Sequence, residues 1–261
     1  MGNPHGSYIW YELMTPDPVA ATRFYGDVVG WSVDVHEGMA GGGGDYRILN
    51  IDGGAVGGML EIGEDMRSHG ARPTWIGYFG VDDVDRSVAS IQAAGGQLLM
   101  PPMDVPNVGR IAMATDPQGL PFYVMRGASD GTSNAFDGQA IGHCAWNELV
   151  TSDLSAALNF YAAEFNIAKG DTMPMGPAGD YQFIDHAGRT IGGAMQPLHA
   201  DQPLGWTYYF RVADIDSAHE NARGGGATIM MEPHQVPGGD WVVIGVDPQG
   251  ARFGLVGARK S

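Results

Sequence analysis

The amino-acid sequence predicts an α+β fold of two tandem domains, each made of two strand–helix–strand–strand–strand modules. Three observations support this prediction. Segments of the first half recur in the same order in the second half, a fainter repeat divides each half again, and a polar segment joins the halves. Repetition at a constant spacing indicates a duplicated structural unit. The length of 261 residues also suits two domains, because one domain usually contains about 100–200 residues.

The duplication is carried by three pairs of segments. WYELMTPDPVAATRFY begins at Trp10 and returns as WNELVTSDLSAALNFY at Trp146, an offset of 136 residues without a gap. GGDYRILNIDGGAVGGM and TDPQGLPFYVMRG return as AGDYQFIDHAGRTIGGAM and VDPQGARFGLVGA. The segment SDGTSNAFDGQ between the copies is polar and contains glycine, as linkers do. We therefore predict domains over residues 1–128 and 140–261, joined by a linker over 129–139.

A tryptophan marks the start of each module. Trp10, Trp75 and Trp146 each stand seven residues before an aspartate, and Trp206 stands seven residues before Ala213. Each tryptophan opens an apolar segment of strand length, and a polar cluster that can start a helix follows it. The inner repeat therefore predicts four modules, two in each domain.

Helix boundaries are predicted from capping residues. Asp17 followed by Pro18 is a typical helix start, and it predicts a helix over residues 17–29. Its predicted buried stripe consists of Val19, Phe24, Val28 and Val29. In the second module, Asp85 is predicted as the N-cap of a helix that stops at Gly95-Gly96.

Short β-like runs follow each helix. In the first module they lie near residues 31–36, 45–51 and 54–60. In the second module they lie near residues 97–100, 109–115 and 121–126. Runs of this length with turn residues between them predict three strands after each helix.

Composition excludes several classes of function. The net charge is −16, with 14 Lys and Arg against 30 Asp and Glu. Binding to nucleic acid or to an acidic membrane surface depends on basic residues, so neither is expected. Cys144 is the only cysteine, which excludes an internal disulfide and a cysteine-based zinc site. A lone cysteine and an N-terminus without a signal-peptide pattern lead us to expect a cytoplasmic protein.

The ordered motifs resemble the vicinal oxygen chelate superfamily of glyoxalases, bleomycin-resistance proteins and extradiol dioxygenases. The segments that carry the resemblance are WYELMTPDPVAATRFYGDVVGW, VDDVDRSVASIQAAGG and the DPQG turn before the last strand of each half. The WxEL opening is similar to a two-domain, glyoxalase-like branch. The resemblance implies four βαβββ modules whose curved mixed sheets form cup-like half-barrels. It also implies that the ligand or metal is bound in the cup.

The resemblance also identifies the positions where metal ligands would stand. Superfamily members that bind a divalent metal use His on the first strand, His, Gln or Glu on the equivalent second-module strand, and Glu on the last strand. The corresponding residues here are Trp10, Trp146, Trp75, Trp206, Tyr123 and Gly254. Indole nitrogen is only a hydrogen-bond donor, and glycine has no side chain. We therefore predict no metal site and no cofactor, and a divalent metal is disfavoured.

In place of a metal site, we predict a cup in each domain that has aromatic walls and one glutamate. Strand side chains alternate between faces, so Glu12 shares a face with Trp10, and Glu148 shares a face with Trp146. The predicted ligand-binding residues are Trp10, Trp75, Phe79, Tyr123, Met125, Trp146, Trp206, Tyr208, Phe210 and Arg252. Glu12 and Glu148 are the candidate catalytic or ligand-anchoring residues. The alternative for each glutamate is a structural hydrogen bond, and the alternative for each tryptophan is ordinary core packing.

Three hypotheses for the function remain open. The first is a small-molecule binding protein of the glyoxalase/bleomycin-resistance type without a metal. The second is a metal-independent hydroxylase, isomerase or lyase that uses Glu12 or Glu148. The third is a metal-dependent lyase or dioxygenase, against which the ligand positions argue. The expected partner is a small molecule, and both a monomer and a homodimer are compatible with the repeats. The segments HEGMAGGGGDY and MPMGPAGDY are predicted as flexible loops at the rims of the cups.

Overall fold

A computed structural model describes residues 2–36, 46–176 and 179–260 of the protein. Each half of the described chain contributes one open, mixed sheet of eight strands with helices beside it. This arrangement confirms the predicted α+β fold of two tandem domains with four βαβββ modules. Both sheets have two edge strands, as half-barrels require.

The elements of the first half follow the predicted order. They are β1 (Tyr8–Thr15), α1 (Pro18–Val29), β2 (Ser32–His36), β3 (Tyr46–Ile51), β4 (Gly54–Glu61), α2 (Glu64–Ser68), β5 (Thr74–Gly80), α3 (Val84–Ala93), β6 (Leu98–Val105), β7 (Gly109–Thr115) and β8 (Pro121–Gly127). The short helix α2 was not predicted from the sequence.

The elements of the second half repeat this order without a counterpart of α2 among the described residues. They are β9 (Cys144–Val150), α4 (Leu154–Phe165), β10 (Ala168–Pro174), β11 (Asp180–His186), β12 (Arg189–Met195), β13 (Gly205–Val212), α5 (Ile215–Gly224), β14 (Thr228–Gln235), β15 (Trp241–Val246) and β16 (Arg252–Gly257).

The two sheets have the same strand order. In the first it is β2-β3-β4-β1-β5-β8-β7-β6, and in the second it is β10-β11-β12-β9-β13-β16-β15-β14. Within a module, the first strand pairs in parallel with the last strand, as β1 does with β4 and β9 with β12. The remaining pairs within a module are antiparallel, such as β2 with β3 and β10 with β11. The first strands of the modules therefore occupy the middle of each sheet.

Capping confirms one predicted helix start and corrects another. The Asp17 side chain accepts hydrogen bonds from the backbone N–H groups of Val19 and Ala20, at 3.1 and 2.9 Å. Helix α3 is capped by Asp83, whose carboxylate accepts from Arg86 N at 3.0 Å. Asp85 was predicted as this cap, but it lies inside the first turn of the helix. Asp83 holds the position because its backbone is extended, as an N-cap residue requires.

The predicted buried stripe of α1 is correct except at its first residue. Phe24, Val28 and Val29 are buried, whereas Val19 is 49% exposed. Val19 stands in the first turn of the helix. Ala21 and Tyr25, which the stripe did not include, are buried instead. The error arose from extending the 3.6-residue period to the end of the helix.

The chain divides into two compact units that do not follow the sequence halves. One comprises Met1–Ile9, Ile76–Ser133 and Trp146–Trp206, and the other comprises Trp10–Trp75, Asn134–Ala145 and Thr207–Ser261. We call the first the 2–3 unit and the second the 1–4 unit, after the modules that provide most of each. Every unit thus combines a module from each half. The domain limits at 128 and 140 describe the sequence repeat and stay a prediction.

Each unit has a core of packed aromatic rings. In the 2–3 unit, Phe79 stacks on Phe165 with ring centroids 4.1 Å apart. In the 1–4 unit, Phe210 packs against Trp75 at 4.7 Å and against Trp31 at 4.8 Å. Such ring pairs add to the stability that burial alone provides.

The segment predicted as a linker is anchored to the protein. Ala135 and Phe136 are buried, at 0% and 6% exposure. The guanidinium of Arg211 donates from Nε to the carbonyl oxygen of Gly138 at 2.9 Å, and its Nη2 pairs with Asp240 at 2.7 Å. Buried side chains and a fixed arginine restrain this segment.

The helices give no indication of a membrane span. Within the described ranges, none combines the length and the apolar composition that crossing a bilayer requires.

Candidate functional site

The four module tryptophans take part in four hydrogen-bonded relays of the same design. In each relay the indole Nε1–H donates to a tyrosine hydroxyl, which in turn donates to a carboxylate. The relays are Trp10–Tyr46–Glu12, Trp75–Tyr25–Asp247, Trp146–Tyr181–Glu148 and Trp206–Tyr161–Asp116. Their donor–acceptor distances lie between 2.8 and 3.1 Å. The repeated tryptophan is therefore a hydrogen-bond donor with a defined partner.

Two of the relays end on the aspartates of the DPQG turns. One Asp116 oxygen accepts the N–H groups of Gln118 and Leu120, both at 2.9 Å. The other oxygen accepts from the hydroxyl of Tyr161 at 3.1 Å. Asp116 is 1% exposed, so one buried carboxylate joins the turn to helix α4 and, through Tyr161, to the first strand of a module. The relays of Asp116 and Asp247 therefore stabilise the 2–3 and 1–4 units.

The other two relays end on the candidate glutamates. Tyr46 donates to Glu12 at 2.9 Å, and Tyr181 donates to Glu148 at 3.0 Å. Each tyrosine ring lies over a glycine of the adjacent strand, Gly58 or Gly193, where any Cβ atom would overlap the ring. Glycine is thus required for the hydroxyl to reach the glutamate.

Burial raises the pKa of four relay groups. Burial, followed by the nearby Asp247 charge, raises the pKa of Tyr25 well above its ordinary value. Burial, followed by the Glu148 charge, does the same to the pKa of Tyr181. The pKa values of Asp116 and Asp247 are raised by burial as well, against the lowering effect of their hydrogen bonds. Tyr25 and Tyr181 therefore stay protonated and act as donors.

The raised pKa of Asp247 predicts a specific pH dependence of stability. The folded state holds this proton more tightly than the unfolded chain, whose carboxyl has the ordinary pKa of 3.8. Stability from this group is therefore fully present below pH 3.8 and is lost as the pH rises through the raised pKa. Urea unfolding from about pH 3.5 upward should show wild type losing stability relative to Asp247→Asn as the pH rises.

Asp201→Asn, which changes an exposed side chain, is the control for that titration. Its stability should run parallel to that of wild type over the same pH range. A constant difference between wild type and Asp247→Asn at every pH would contradict the predicted role of Asp247.

Strand register divides the predicted cup wall between two faces of the sheets. β5 pairs with β8 so that Tyr78 stands beside Tyr123, which puts both on one face. Phe79 alternates with Tyr78 and therefore lies on the opposite face from Tyr123 and Met125. The prediction that Phe79 and Tyr123 line the same cup is wrong for this reason.

The second half shows the same division. Tyr209 pairs with Gly254, so Tyr208 and Phe210 lie on the opposite face from Gly254 and Arg252. Tyr208 and Phe210 belong to the aromatic core of the 1–4 unit, where each packs against Tyr11. Both rings are therefore part of the packed core of this unit.

The remaining predicted residues lie at several separate places. Trp75 is 3% exposed within the core of the 1–4 unit. The ring of Trp206 packs edge to face against Tyr8 in the 2–3 unit, with ring centroids 5.8 Å apart. Tyr123 is buried and stacks on Tyr78 at 4.2 Å with nearly parallel rings, and Met125 is half-buried. Arg252 donates through Nη2 to the Thr207 hydroxyl.

One face of the second sheet brings predicted residues together at a partly open surface. Trp146 is half-buried and meets the Phe183 ring at 5.9 Å, nearly edge to face. Glu148 is half-buried on the same strand, whereas its counterpart Glu12 is only 3% exposed. Apolar neighbours pack around these residues, namely Val150, Met173, Met175, Tyr181 and Met195. We call Trp146, Glu148, Tyr181 and Phe183 the aromatic face.

The four tryptophans at ligand positions of the superfamily do not fit a metal. All four tryptophans use Nε1–H as a donor to a tyrosine, so none presents a lone pair. In the described ranges, no three His, Cys, Asp or Glu side chains are grouped as a metal site would require.

Sequence reasoning missed the tyrosines and glycines of the relays. Tyr46 and Tyr181 are the last residues of the repeated GGDY and AGDY segments. Gly58 and Gly193 are second in a Gly-Gly pair present in both halves. Recurrence in both halves was the signal that could have identified them. Most of the first predicted rim loop, residues 37–45, and residues 177–178 of the second lie outside the described residues.

Comparison with protein families gives matches over both halves. The model of the Glyoxalase/Bleomycin resistance protein/Dioxygenase superfamily matches residues 8–124 and 140–255. The "Putative glyoxylase CFP32" of Mycobacterium tuberculosis (strain CDC 1551 / Oshkosh) is 31% identical over 255 residues, covering 96% of this chain and 94% of that protein. The "Anthracycline biosynthesis protein DnrV" of Streptomyces peucetius is 31% identical over 272 residues, covering 98% and 94%.

Solved structures share the fold at low sequence identity. The Mn(II)-bound glyoxalase from Novosphingobium aromaticivorans has a TM-score of 0.63 and 16% identity, covering 98% of this chain and 83% of that chain. The 2,2',3-trihydroxybiphenyl 1,2-dioxygenase from Sphingomonas wittichii strain RW1 has a TM-score of 0.65 and 14% identity, covering 99% and 91%. At these identities the likeness concerns the fold alone.

Proposed function

The chain belongs to the Glyoxalase/Bleomycin resistance protein/Dioxygenase superfamily, and we propose that it is a small-molecule binding protein without a metal. The ligand lies on the aromatic face. The single observation that carries this proposal is the half-buried Trp146 beside half-buried Phe183, with the Glu148 carboxylate on the same strand. Pockets for small molecules usually combine apolar walls with a few polar groups that orient the ligand.

The relay prepares this surface for binding. Tyr181 holds the indole of Trp146 by a 2.8 Å hydrogen bond and the carboxylate of Glu148 by a 3.0 Å hydrogen bond. Both side chains are therefore oriented before a ligand arrives, which lowers the entropy cost of binding. Met173 and Met175 border the same cluster, and flexible thioether side chains adapt to ligands of different outline.

A flat aromatic molecule is the ligand class that this surface favours. An indole and a phenyl ring stabilise a planar partner by offset stacking and edge contacts. One relative is named an anthracycline biosynthesis protein, which makes planar polycyclic compounds the first group of probes. The proposal includes no metal because the four indoles at the ligand positions can only donate hydrogen bonds.

A metal-independent enzyme that uses Glu148 as a base is the second candidate. It is favoured by one difference between the halves, since Glu148 is half-buried whereas Glu12 is 3% exposed. A base must reach the proton that it removes, and a partly open carboxylate meets this requirement. Turnover of a bound probe that is lost in Glu148→Gln would favour this candidate over a pure binding protein.

Tryptophan fluorescence tests the proposed site. Planar aromatic probes, including an anthracycline, should quench the emission of the wild-type protein in a saturable way. Trp146→Ala should weaken binding at least about tenfold, because an aromatic anchor at the centre of a contact contributes roughly 1.5 kcal/mol or more. Calorimetry gives the same affinities without the fluorophore.

Trp241→Phe is the matched control for Trp146→Ala. The guanidinium carbon of Arg259 lies 3.7 Å from the ring centroid of Trp241. Trp241 has no part in the aromatic face. Its substitution should leave the affinity at the wild-type value. Equal affinities of wild type and Trp146→Ala for every bound probe would refute the proposed site.

A further inference from the structure

A polar depression adjoins the aromatic face in the second half. It has a volume of about 540 Å³ and is lined by Lys169, Gly170, Asp171, Phe183, Asp185 and Thr190. Phe183 belongs to both places, because its ring also meets those of Trp146 at 5.9 Å and Tyr181 at 5.6 Å. A molecule on the aromatic face can therefore extend into the depression.

Irregular strand pairing forms this depression. The register between β10 and β11 shifts between Lys169 and Thr172, and the register between β11 and β12 shifts between Ile184 and Asp185. Bulges of this kind redirect side chains and occur often beside functional sites. The amide of Gln182 donates to the carbonyl oxygens of Gly170 and Asp171, at 2.8 and 3.1 Å, which holds the first bulge in place.

The carboxylate of Asp185 lines the depression and is held in a defined position. A Cβ atom on Gly170 would lie 2.9 and 3.0 Å from its two oxygens, so glycine leaves the room that the carboxylate occupies. The hydroxyl of Thr190 donates to Oδ1 at 2.7 Å. Asp185 is half-buried, and both of its oxygens face the position where Gly170 lacks a side chain.

The equivalent place in the first half differs in one side chain and in one strand pairing. Asn50 stands where the second half has Asp185, and its amide donates to Asp34 at 3.0 Å and to the carbonyl oxygen of Ile48 at 3.2 Å. Pairing of β2 with β3 continues without a shift from Ser32 to His36. The shift between β10 and β11 and the carboxylate of Asp185 are thus specific to the second half, whereas the shift between β11 and β12 has a counterpart between Leu49 and Asn50.

We propose that this depression binds a hydroxyl-rich, sugar-like substituent of the ligand whose flat part lies on the aromatic face. Carboxylates accept hydrogen bonds from ligand hydroxyls, and the ammonium group of a lysine donates to ligand oxygens. The hydroxyl of Thr190 already donates to Asp185, and it can still accept a hydrogen bond from a ligand hydroxyl. Hydrogen bonds to charged groups are also the stronger ones. The Phe183 ring gives the carbon–hydrogen face of a saturated ring an apolar contact. This inference rests on the proposed function and defines its ligand as a two-part molecule.

Matched pairs of aromatic compounds and their glucosides test the inference. Suitable pairs are 4-methylumbelliferone with its β-D-glucoside and quercetin with its 3-glucoside, titrated into the full protein by calorimetry. Wild type should bind the glucoside of at least one pair about tenfold more tightly than the aglycone, as one or two added charge-assisted hydrogen bonds predict. Asp185→Asn and Gly170→Ala should each reduce this preference to less than about twofold.

Controls separate the depression from the aromatic face. Asn50→Ala, at the equivalent position of the first half, should keep the tenfold preference. Trp146→Ala should weaken both members of a pair by a similar factor. Equal wild-type affinities for glucoside and aglycone would overturn the polar subsite and leave the proposed function intact. Failure of every aglycone and glucoside to bind would overturn both, and a preference kept in both Asp185→Asn and Gly170→Ala would overturn the assignment to this depression.

Discussion

Asp116→Ala should lower the free energy of unfolding by about 4 kcal/mol, because the loss of several buried hydrogen bonds adds up. The substitution removes the acceptor of three groups, the N–H of Gln118, the N–H of Leu120 and the hydroxyl of Tyr161. A buried donor without a partner costs roughly 1–3 kcal/mol. Asp116 is 1% exposed, so water cannot take its place without rearrangement. Urea unfolding followed by circular dichroism measures the loss.

Two further variants help to interpret this loss of stability, one in the relay and one at an exposed control position. Tyr161→Phe removes only the hydroxyl that links Trp206 to Asp116, and it should cost roughly 1–2 kcal/mol. Asp201→Ala changes an aspartate that is 92% exposed, and it should cost less than about 0.5 kcal/mol. An Asp116→Ala protein as stable as Asp201→Ala would contradict the structural role of the DPQG aspartate.

Gly193→Val should abolish most ligand binding while the protein still folds. A side chain at this position overlaps the ring of Tyr181, so the ring must leave its place over β12. Trp146 then loses the acceptor of its indole N–H, and Glu148 loses its tyrosine donor. We expect affinity for a probe of the aromatic face to fall at least about thirtyfold, and stability to fall by roughly 1–3 kcal/mol as overpacking predicts. Calorimetry and urea unfolding measure the two effects.

Two glycine variants serve as controls for that experiment. Gly58→Val makes the same overlap with Tyr46 in the first half, so it should reduce stability and leave binding at the aromatic face unchanged. Gly63 has no atom within 4 Å of its ideal Cβ, and Gly63→Val should alter neither quantity. A folded Gly193→Val protein that binds the probe as tightly as wild type would show that the ligand lies elsewhere.

Much of the fold could be predicted because its signals are local. A strand is marked by a short apolar run between turn residues, and a helix start is marked by a residue such as Asp17 before Pro18. Duplication strengthened these signals, since each weak motif occurred twice in the same order. Where two aspartates compete, as Asp83 and Asp85 do before α3, the backbone angles decide which one is the cap, and a motif alone does not report them.

The candidate site was predicted less completely than the fold. Trp146 and Glu148 were identified as neighbours on one face of a strand, and the structure places them together. Phe183 was not identified, because it lies on another strand and has no counterpart among the repeated tryptophans. Phe79 and Tyr208 were assigned to the cup wall although they belong to ring-packed cores.

Residue type and spacing were enough to establish the repeat, the four modules and their order of elements. None of these conclusions requires a contact between distant residues. The tertiary fold was needed to decide which face of each strand is core and which partner each tryptophan has. Alternation shows which residues share a face, but the register of a neighbouring strand decides which face that is. Tyr25 and Asp247 are 222 positions apart, and only folding brings such distant groups within hydrogen-bonding distance.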